Sequence, residues 1–422
     1  MTVIGLDDTD SREAGLCTTY VAARIATELA RRGATVERRL LLRCNPAVEH
    51  KTRGNAALAV HTDAEPALAR AVLAAELDAA RTGDPRTNPG GVVAPGAPES
   101  VPAPVATFAE RAVRDLLDVD AARDLAHEAG FETLSRGNGR GLIGALAAVG
   151  AWRAFEEWTY ECISYRERER WGTERDVDRD SVFAAAEAAY PAAWDTVDRV
   201  EDHAVCVPRT PCPILHAIRG EDPDAVREAA TAVEGEPVAD RALFVTNQGT
   251  DAHLRRADDV AALRDGRAYC VDATVATPPE TRAGGHVFLA VADGDRDLEC
   301  AAFEPTKRFR DRVRALRPGD RVTVCGEVSD GTLKLEKFAL RERVETTLET
   351  PDCPDCGRSM ASAGRDQGYR CRDCGTSAPG KVERPLDRDL EPGWYEVPPC
   401  ARRHVAKPLV RGGFDAPTHP EV

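Results

Sequence analysis

MTVIGLDDTDSREAGLCTTY, residues 1–20, is the stretch from which both the fold and the chemistry unfold. Residues 1–6 are a short apolar run that reads as a buried strand. Asp7-Asp8-Thr9-Asp10-Ser11 follows at once as a polar loop. Cys17 to Arg32 reads as a helix, because Val21, Ile25 and Leu29 repeat on one face, Thr18 or Thr19 can cap its start and Gly33 can end it. Three carboxylates within four residues repel one another unless a cation sits among them, and hard oxygen ligands suit Mg²⁺. The hydroxyl of Thr18 falls at a helix N-terminus, where backbone N–H groups favour phosphate. Together these features outline a site for a metal-bound triphosphate. An ordinary acidic turn with a capping threonine fits the same residues.

Working outward, residues 34–46 and 56–62 read as strands and 64–81 as a helix. The Gly/Pro-rich segment 82–105, with Asn88-Pro89-Gly90-Gly91, is expected to be a long loop. Helical patterns fill 106–129. A glycine-rich turn, Ser135 to Gly141, leads into the apolar run LIGALAAVGA. Residues 158–166 read as a strand, the charged segment up to 183 as a loop, and 183–265 as a small α/β sandwich. Between 268 and 344 the chain changes to five β-rich runs with a helical segment, Pro305 to Leu316, after the third, which is the order of an OB-fold barrel.

Cys353-Pro-Asp-Cys356 and Cys371-Arg-Asp-Cys374, each followed by glycine, present four thiolates from two knuckles, the donor set of a closed structural Zn²⁺ site. Two formal matches fail in context. Gly139-x-Gly141-x-x-Gly144 follows a weak strand, so a tight turn into a packed helix suits it better than a dinucleotide site. Gly375 to Lys381 begins a Walker A pattern but continues with Val382 beside a zinc knuckle. His50-Lys51-Thr52-Arg53-Gly54-Asn55 offers cations between two strands, either for phosphate or as a solvated turn.

With 42% hydrophobic and 30% charged residues the 422-residue chain is globular and long enough for several cores. It has no run of apolar residues long enough for a membrane span and no export signal, so a cytoplasmic protein is expected. The 13 cysteines do not read as a disulfide framework; nine are scattered and most are expected to be small buried hydrophobes. Lys+Arg number 56 against 71 Asp+Glu, a net charge of −15, yet only six of the cations are Lys. An acidic, Lys-poor, Ala-rich chain fits a cytosol of very high salt, so a halophilic source is expected and local charge says more about partners than net charge. Residues 353–411 carry 11 basic and eight acidic side chains with Trp394 and Tyr395 among them. An OB fold, a zinc ribbon and a basic aromatic tail suggest nucleic-acid binding, and a non-catalytic protein for single-stranded nucleic acid is the rival reading.

IGLDDTDS, GLCTTY, RCNP, HKTRGNAA, NPGGVV, GNGRGLIGA, YECISYR, TNQGTDAHL, the paired CxxC motifs and ARRHVAKPLVR, in this order over about residues 1–411, resemble the archaeal tRNA(Ile) 2-agmatinylcytidine synthetases. That resemblance implies a multidomain α/β plus β protein. Its parts would be an atypical kinase-like α/β domain (1–157), a ferredoxin-like α+β domain (158–265), an OB-fold barrel (268–344) and a zinc ribbon with a basic tail (345–422). It implies ATP-dependent conjugation of agmatine to C2 of the wobble cytidine in the CAU anticodon of an isoleucine tRNA, so that AUA is read. The C2 oxygen would be phosphorylated, agmatine's amine would displace phosphate, AMP would be the nucleotide product, and Thr18 would be the threonine that becomes phosphorylated. Carried onto this chain, Asp7, Asp8, Asp10 and Thr18 are the catalytic residues, with the three aspartates holding Mg²⁺. Thr9, Cys17, Thr19, Lys51, Arg53, Asn138, Gly139 and Arg140 are the expected ATP or phosphate contacts. Cys353, Cys356, Cys371 and Cys374 hold Zn²⁺. No membrane and no obligate protein partner is expected.

Overall fold

The computed structural model describes residues 1–11, 16–49, 51, 54–80 and 82–422. Its first half is organised by one nine-stranded sheet: β1 (Thr2–Asp7), β2 (Val36–Arg43), β3 (Ala56–Thr62), β4 (Gly90–Pro95), β5 (Glu132–Ser135), β6 (Thr159–Arg166), β7 (Ala193–Trp194), β8 (Ile214–Gly220) and β9 (Val238–Thr246). The spatial order is β5-β4-β1-β3-β2-β9-β6-β8-β7. The apolar opening run is therefore central, with Val3, Ile4 and Leu6 fully buried between antiparallel neighbours. A short parallel seam, Leu40 opposite Val245 and Leu41 opposite Thr246, joins the N-terminal strands to those of residues 159–246.

Helices α1 (Thr18–Arg31) and α2 (Pro66–Asp78) contribute apolar faces to one core, built with Ile4, Leu6, Leu41 and Phe244. On the other face, α3 (Ala103–Arg114), α4 (Val119–Glu128) and α5 (Gly141–Ala154) close a second core with Val3, Leu40 and Val92. Helices α6 (Arg179–Ala189) and α7 (Pro223–Ala232) cover the distal strands.

The expectation of a long loop over 82–105 is corrected. Residues 90–95 form a strand between β1 and β5, and α3 begins at Ala103. Gly90-Gly91 looked like a loop signal, but bare backbone is what this place in the sheet requires. A Cβ on Gly90 would stand 2.1 Å from the Leu142 nitrogen in α5, and one on Gly91 2.8 Å from Leu73. Val92 and Val93, fully buried, supply the strand's packing.

The barrel follows the expected order. β10 (Leu254–Arg256) leads in beside β11 (Arg267–Val275), and the short β12 (Glu280–Thr281) flanks β13 (Val287–Asp293). β14 (Arg296–Ala302), β15 (Arg321–Ser329) and β16 (Thr332–Glu342) complete the set, and the pairings β11–β13–β14–β16–β15–β11 close the circle. Helix α8 (Phe309–Arg314) lies between β14 and β15 and buries Phe309 and Val313 in the barrel core. The C-terminal segment returns to it: Gly393–Glu396 pairs with β16, and Thr418–His419 pairs with that strand in turn. Between these, Thr346–Glu349 and Val382–Pro385 pair as a two-stranded stalk that carries the cysteine knuckles. The reading of the scattered cysteines is corrected at one pair: Cys270 and Cys325, directly opposite on β11 and β15, form a disulfide. No helix among the described residues is long and apolar enough to cross a membrane.

Two buried histidines give the fold a pH dependence. Burial, then the nearby charge of Arg38, pushes His61 down to about 3; burial, then Arg241, pushes His216 down to about 4. Both are neutral in the folded chain and protonate near 6.5 when unfolded, so the unfolded state takes up more protons below that pH. Each histidine is expected to remove about 1.4 kcal/mol of stability per pH unit as the pH falls from about 6.5 towards its folded value. Denaturant titrations of wild type and His216→Phe between about pH 5 and 6.5 should show the variant's slope flatter by about that amount.

Candidate active site

Strand β1 delivers Asp7 as its last residue, and the chain then turns sharply: Asp8 has φ 58°, the left-handed region. The turn is fastened from several sides. Asp8 N–H donates to Asp7 Oδ1 at 2.6 Å, and the carboxylate of Asp8 accepts from Asn88 N–H at 3.1 Å and from Arg140 Nη2 at 2.9 Å. The hydroxyl of Thr87 donates to the carbonyl of Asp10 at 2.7 Å. On the far side of the loop, Thr9 Oγ1 donates to Thr18 Oγ1 at 3.2 Å, tying the turn to the first residue of α1. Cys17 is that helix's N-cap, in extended conformation with no side-chain cap bond, and no acid occupies the first turn.

Helix α5 forms the adjoining wall, and only glycines let it come so close. A Cβ on Gly144 would stand 1.9 Å from Asp7 Oδ2, and one on Gly141 2.8 Å from the Asp7 carbonyl. The GNGRG turn thus serves as a packed helix start and not as a dinucleotide loop. Burial, then the charge of Asp8, pushes the Asp7 carboxyl well above the ordinary range. Asp8 rises to about 6 because burial outweighs the pull of Arg140. The two carboxylates are short of positive charge: among the described residues Arg140 pairs with Asp8, and Asp7 has no ion pair.

A cavity of about 630 Å³ opens in front of this turn. Of the residues singled out in the sequence, Asp7, Asp8, Asp10, Cys17, Thr18, Thr19, Lys51 and Arg140 line it. The oxygens of the three aspartates do not all fall within 4.8 Å of one another, the spacing the four zinc-ribbon thiols meet. Thr9 is fully buried behind the turn. Asn138 and Gly139 sit on the α5 approach, where Asn138 N–H is taken by Asn88 Oδ1 at 3.1 Å, and they do not line the cavity. Arg53 lies outside the described residues. Lys51 reaches the Pro46 carbonyl, and burial lowers its pKa. Burial pushes the Cys17 thiol up to about 11, which leaves it protonated at neutral pH.

The sequence reading missed part of the lining. Arg43, Glu161 and His404 face the same space from β2, β6 and the C-terminal tail, and Glu327, Ser329 and Asp330 from the end of barrel strand β15. RCNP, YECISYR and ARRHVAKPLVR carry the first three, but nothing in their local pattern marks them; they meet only through the β2–β9 seam and the return of the tail.

The four thiols of Cys353, Cys356, Cys371 and Cys374 lie within 4.8 Å of one another, with Cys356 and Cys371 sulfurs 3.6 Å apart. Each pair is a matching knuckle: Gly357 N–H bonds the Cys353 carbonyl at 2.8 Å and Gly375 N–H the Cys371 carbonyl at 3.0 Å, both glycines at φ 72°. Four convergent sulfurs with no open position suit structural zinc.

Family models for the TiaS TCKD domain, the TiaS FLD domain and the TiaS C-terminal zinc ribbon domain match residues 3–66, 139–253 and 350–390. The chain is 53% identical over 462 aligned residues to the tRNA(Ile) 2-agmatinylcytidine synthetase TiaS of Haloquadratum walsbyi, covering all of both chains. Among solved structures it is similar to a complex of TiaS with its isoleucine tRNA and ATP, at 41% identity and TM-score 0.91, covering 100% of this chain and 99% of that one. It is also similar to a complex of TiaS with its isoleucine tRNA, AMPCPP and agmatine, at 39% identity and TM-score 0.88 over 100% and 99% of the two chains.

Replacing Cys356 by Ser removes one of four ligands from a closed site. The purified variant is expected to lose its equivalent of zinc by elemental analysis, while the barrel retains its β-sheet circular dichroism.

Proposed function

The chain belongs to the TiaS family of tRNA(Ile) 2-agmatinylcytidine synthetases, and from that premise we propose that it joins agmatine to C2 of the wobble cytidine in the CAU anticodon of an isoleucine tRNA, using ATP, in the cytoplasm. The observation that carries this reading is the shared cavity: the aspartate turn, the N-terminus of α1 and the end of a barrel strand all border one space. A cytidine turned out of its loop could enter such a space, since chemistry at a base edge requires unstacking it.

In this reading the chain divides as the sequence suggested: residues 1–157 for phosphoryl transfer, 158–265 as a ferredoxin-like unit, and 268–344 and 345–422 to hold the RNA. The turn offers hard oxygen donors for a divalent cation, Asp7 foremost, because the ion pair of Arg140 goes to Asp8 and leaves Asp7 with none among the described residues. Asp7, Asp8 and Asp10 as placed stand too far apart to ligate one ion together, so one or two of them would hold it with water and phosphate completing the shell. Bound there, Mg²⁺ supplies charge neutralisation for phosphoryl transfer. Arg140 keeps Asp8 oriented until then. Thr18 at the start of α1 presents a hydroxyl and backbone N–H groups to phosphate, with Thr9, Cys17, Thr19 and Lys51 around it. Phosphorylation turns the C2 oxygen, a poor leaving group, into a good one for the amine to displace. Agmatine is dicationic; Glu161, buried in the cavity wall with Gln248 Nε2 2.8 Å from its carboxylate, offers it a negative partner.

A non-catalytic strand-binding protein would use residues 268–411 and leave the aspartate-lined cavity without a purpose. Incubation with ATP, Mg²⁺, labelled agmatine and an isoleucine tRNA transcript separates the two. Label is expected in the RNA with wild type. With Asp8→Asn, which tolerates the left-handed turn and keeps an acceptor for Asn88 N–H, incorporation is expected to fall by roughly 10²–10³, while tRNA affinity and the melting curve stay near wild type. Tight RNA binding by wild type without label transfer would favour the rival.

A further inference from the structure

Arg43 ends strand β2 and faces the cavity. Its guanidinium is a part of the wall with no counter-ion in contact: among the described residues no carboxylate lies within 4.0 Å of it. Its side-chain partners are neutral. Nε donates to Gln248 Oε1 at 3.3 Å and Nη1 to the Gly54 carbonyl at 3.2 Å, and Nη2 makes no hydrogen bond among the described residues. Most arginines of this acidic chain are paired with a carboxylate; this one is not, though it is largely withdrawn from water.

The residue is also held firmly. Asn247 grips its backbone in both directions, accepting from Arg43 N–H at 2.7 Å and donating to the Arg43 carbonyl at 3.1 Å. Gln248 spans from the guanidinium to Glu161, so its amide orients both groups and keeps that carboxylate from closing on Arg43. Gly54 leaves room, since a Cβ there would stand 2.5 Å from Arg43 Nη1. The neighbour of like sign is Arg219. A fixed, desolvated cation with a free edge on a cavity is a preformed anion partner.

We propose that Arg43 is a catalytic residue that neutralises the transferring phosphoryl group, positioned by the Asn247-Gln248 turn; this rests on the function proposed above. In the step, the P–O bond to the nucleotide breaks with its electron pair leaving on the nucleotide, and a new P–O bond forms to the cytidine C2 oxygen. Arg43 faces the same space as the aspartate turn and bonds the equatorial oxygens, whose charge peaks between the two bonds.

The test is conjugation by Arg43→Gln, Arg43→Lys and Gln248→Ala at saturating ATP, agmatine and tRNA, with tRNA affinity and melting temperature measured alongside. Arg43→Gln is expected to lower kcat roughly 10³-fold with tRNA affinity within about threefold, Arg43→Lys to recover only part because it lacks the planar fork, and Gln248→Ala to fall between Arg43→Lys and wild type. Should Arg43→Gln melt early, Arg43→Lys, which keeps the cation, carries the test. A kcat within about threefold of wild type in both Arg43 variants overturns the proposal. So does a loss confined to tRNA affinity, which would make Arg43 a grip on the RNA backbone. A wild type that transfers no agmatine at all would instead overturn the function on which the proposal rests.

Discussion

The close approach of one helix to the sheet governs the molecule. Helix α5 lies on β1 and β4 at a distance only hydrogen can fill: a Cβ on Gly5 would stand 2.1 Å from the Ala145 carbonyl, and one on Gly141 2.4 Å from the nitrogen of Gly90. Bringing backbone against backbone draws the N-terminal turn of α5 beside the last residue of β1. Asp7 is thereby trapped between them, and Arg140, one residue before the helix, falls on Asp8. The acidic turn, the cation set on it and the cavity in front of it all follow from a few positions without side chains. A methyl group at any of them would force a shift of packed backbone, which interiors at crystal-like density resist.

How far the sequence foretold this depended on how local each signal was. The opening strand, α1, the five barrel runs with their helix and the paired knuckles were legible, because hydrophobic period and cysteine spacing are written in neighbouring residues. Strand β4 was not, since its glycines serve a packing need that only α5, some 50 residues on, reveals. Of the cavity lining, the aspartates, Cys17, Thr18, Thr19, Lys51 and Arg140 could be singled out beforehand because they stand in dense, chemically marked clusters. Arg43, Glu161 and His404 were missed as site residues. Each is an isolated polar residue in an otherwise ordinary segment, and what marks them is the parallel contact of β2 with β9 and the return of the C-terminal tail.

Charge is distributed with the same logic. The chain as a whole carries −15, and ion pairs cover much of its surface, such as Glu28 with Arg31 and Arg32. Such exposed pairs add little stability singly. Beneath them run buried networks that join distant parts: Arg166 with Glu236 at 2.6 Å, Arg388 with Asp320 at 2.6 Å, and Arg402 with Glu396 at 2.8 Å, the last linking the tail to its own added strand. Against so thorough a pairing, Asp7 and Arg43 stand out: both line the cavity with no counter-ion in contact among the described residues.

The stalk that bears the zinc knuckles has an architectural corollary. Its two strands, Thr346–Glu349 and Val382–Pro385, enter and leave side by side, and the chain on either side belongs to the same barrel sheet. The ribbon is thus an excursion from a continuous surface and not a terminal appendage. Topologically it resembles a long hairpin loop, whose shortening costs the parent sheet little because closure entropy varies only slowly with loop length. Evolution could lengthen, trim or exchange this module without disturbing the barrel's closure or the seam behind it.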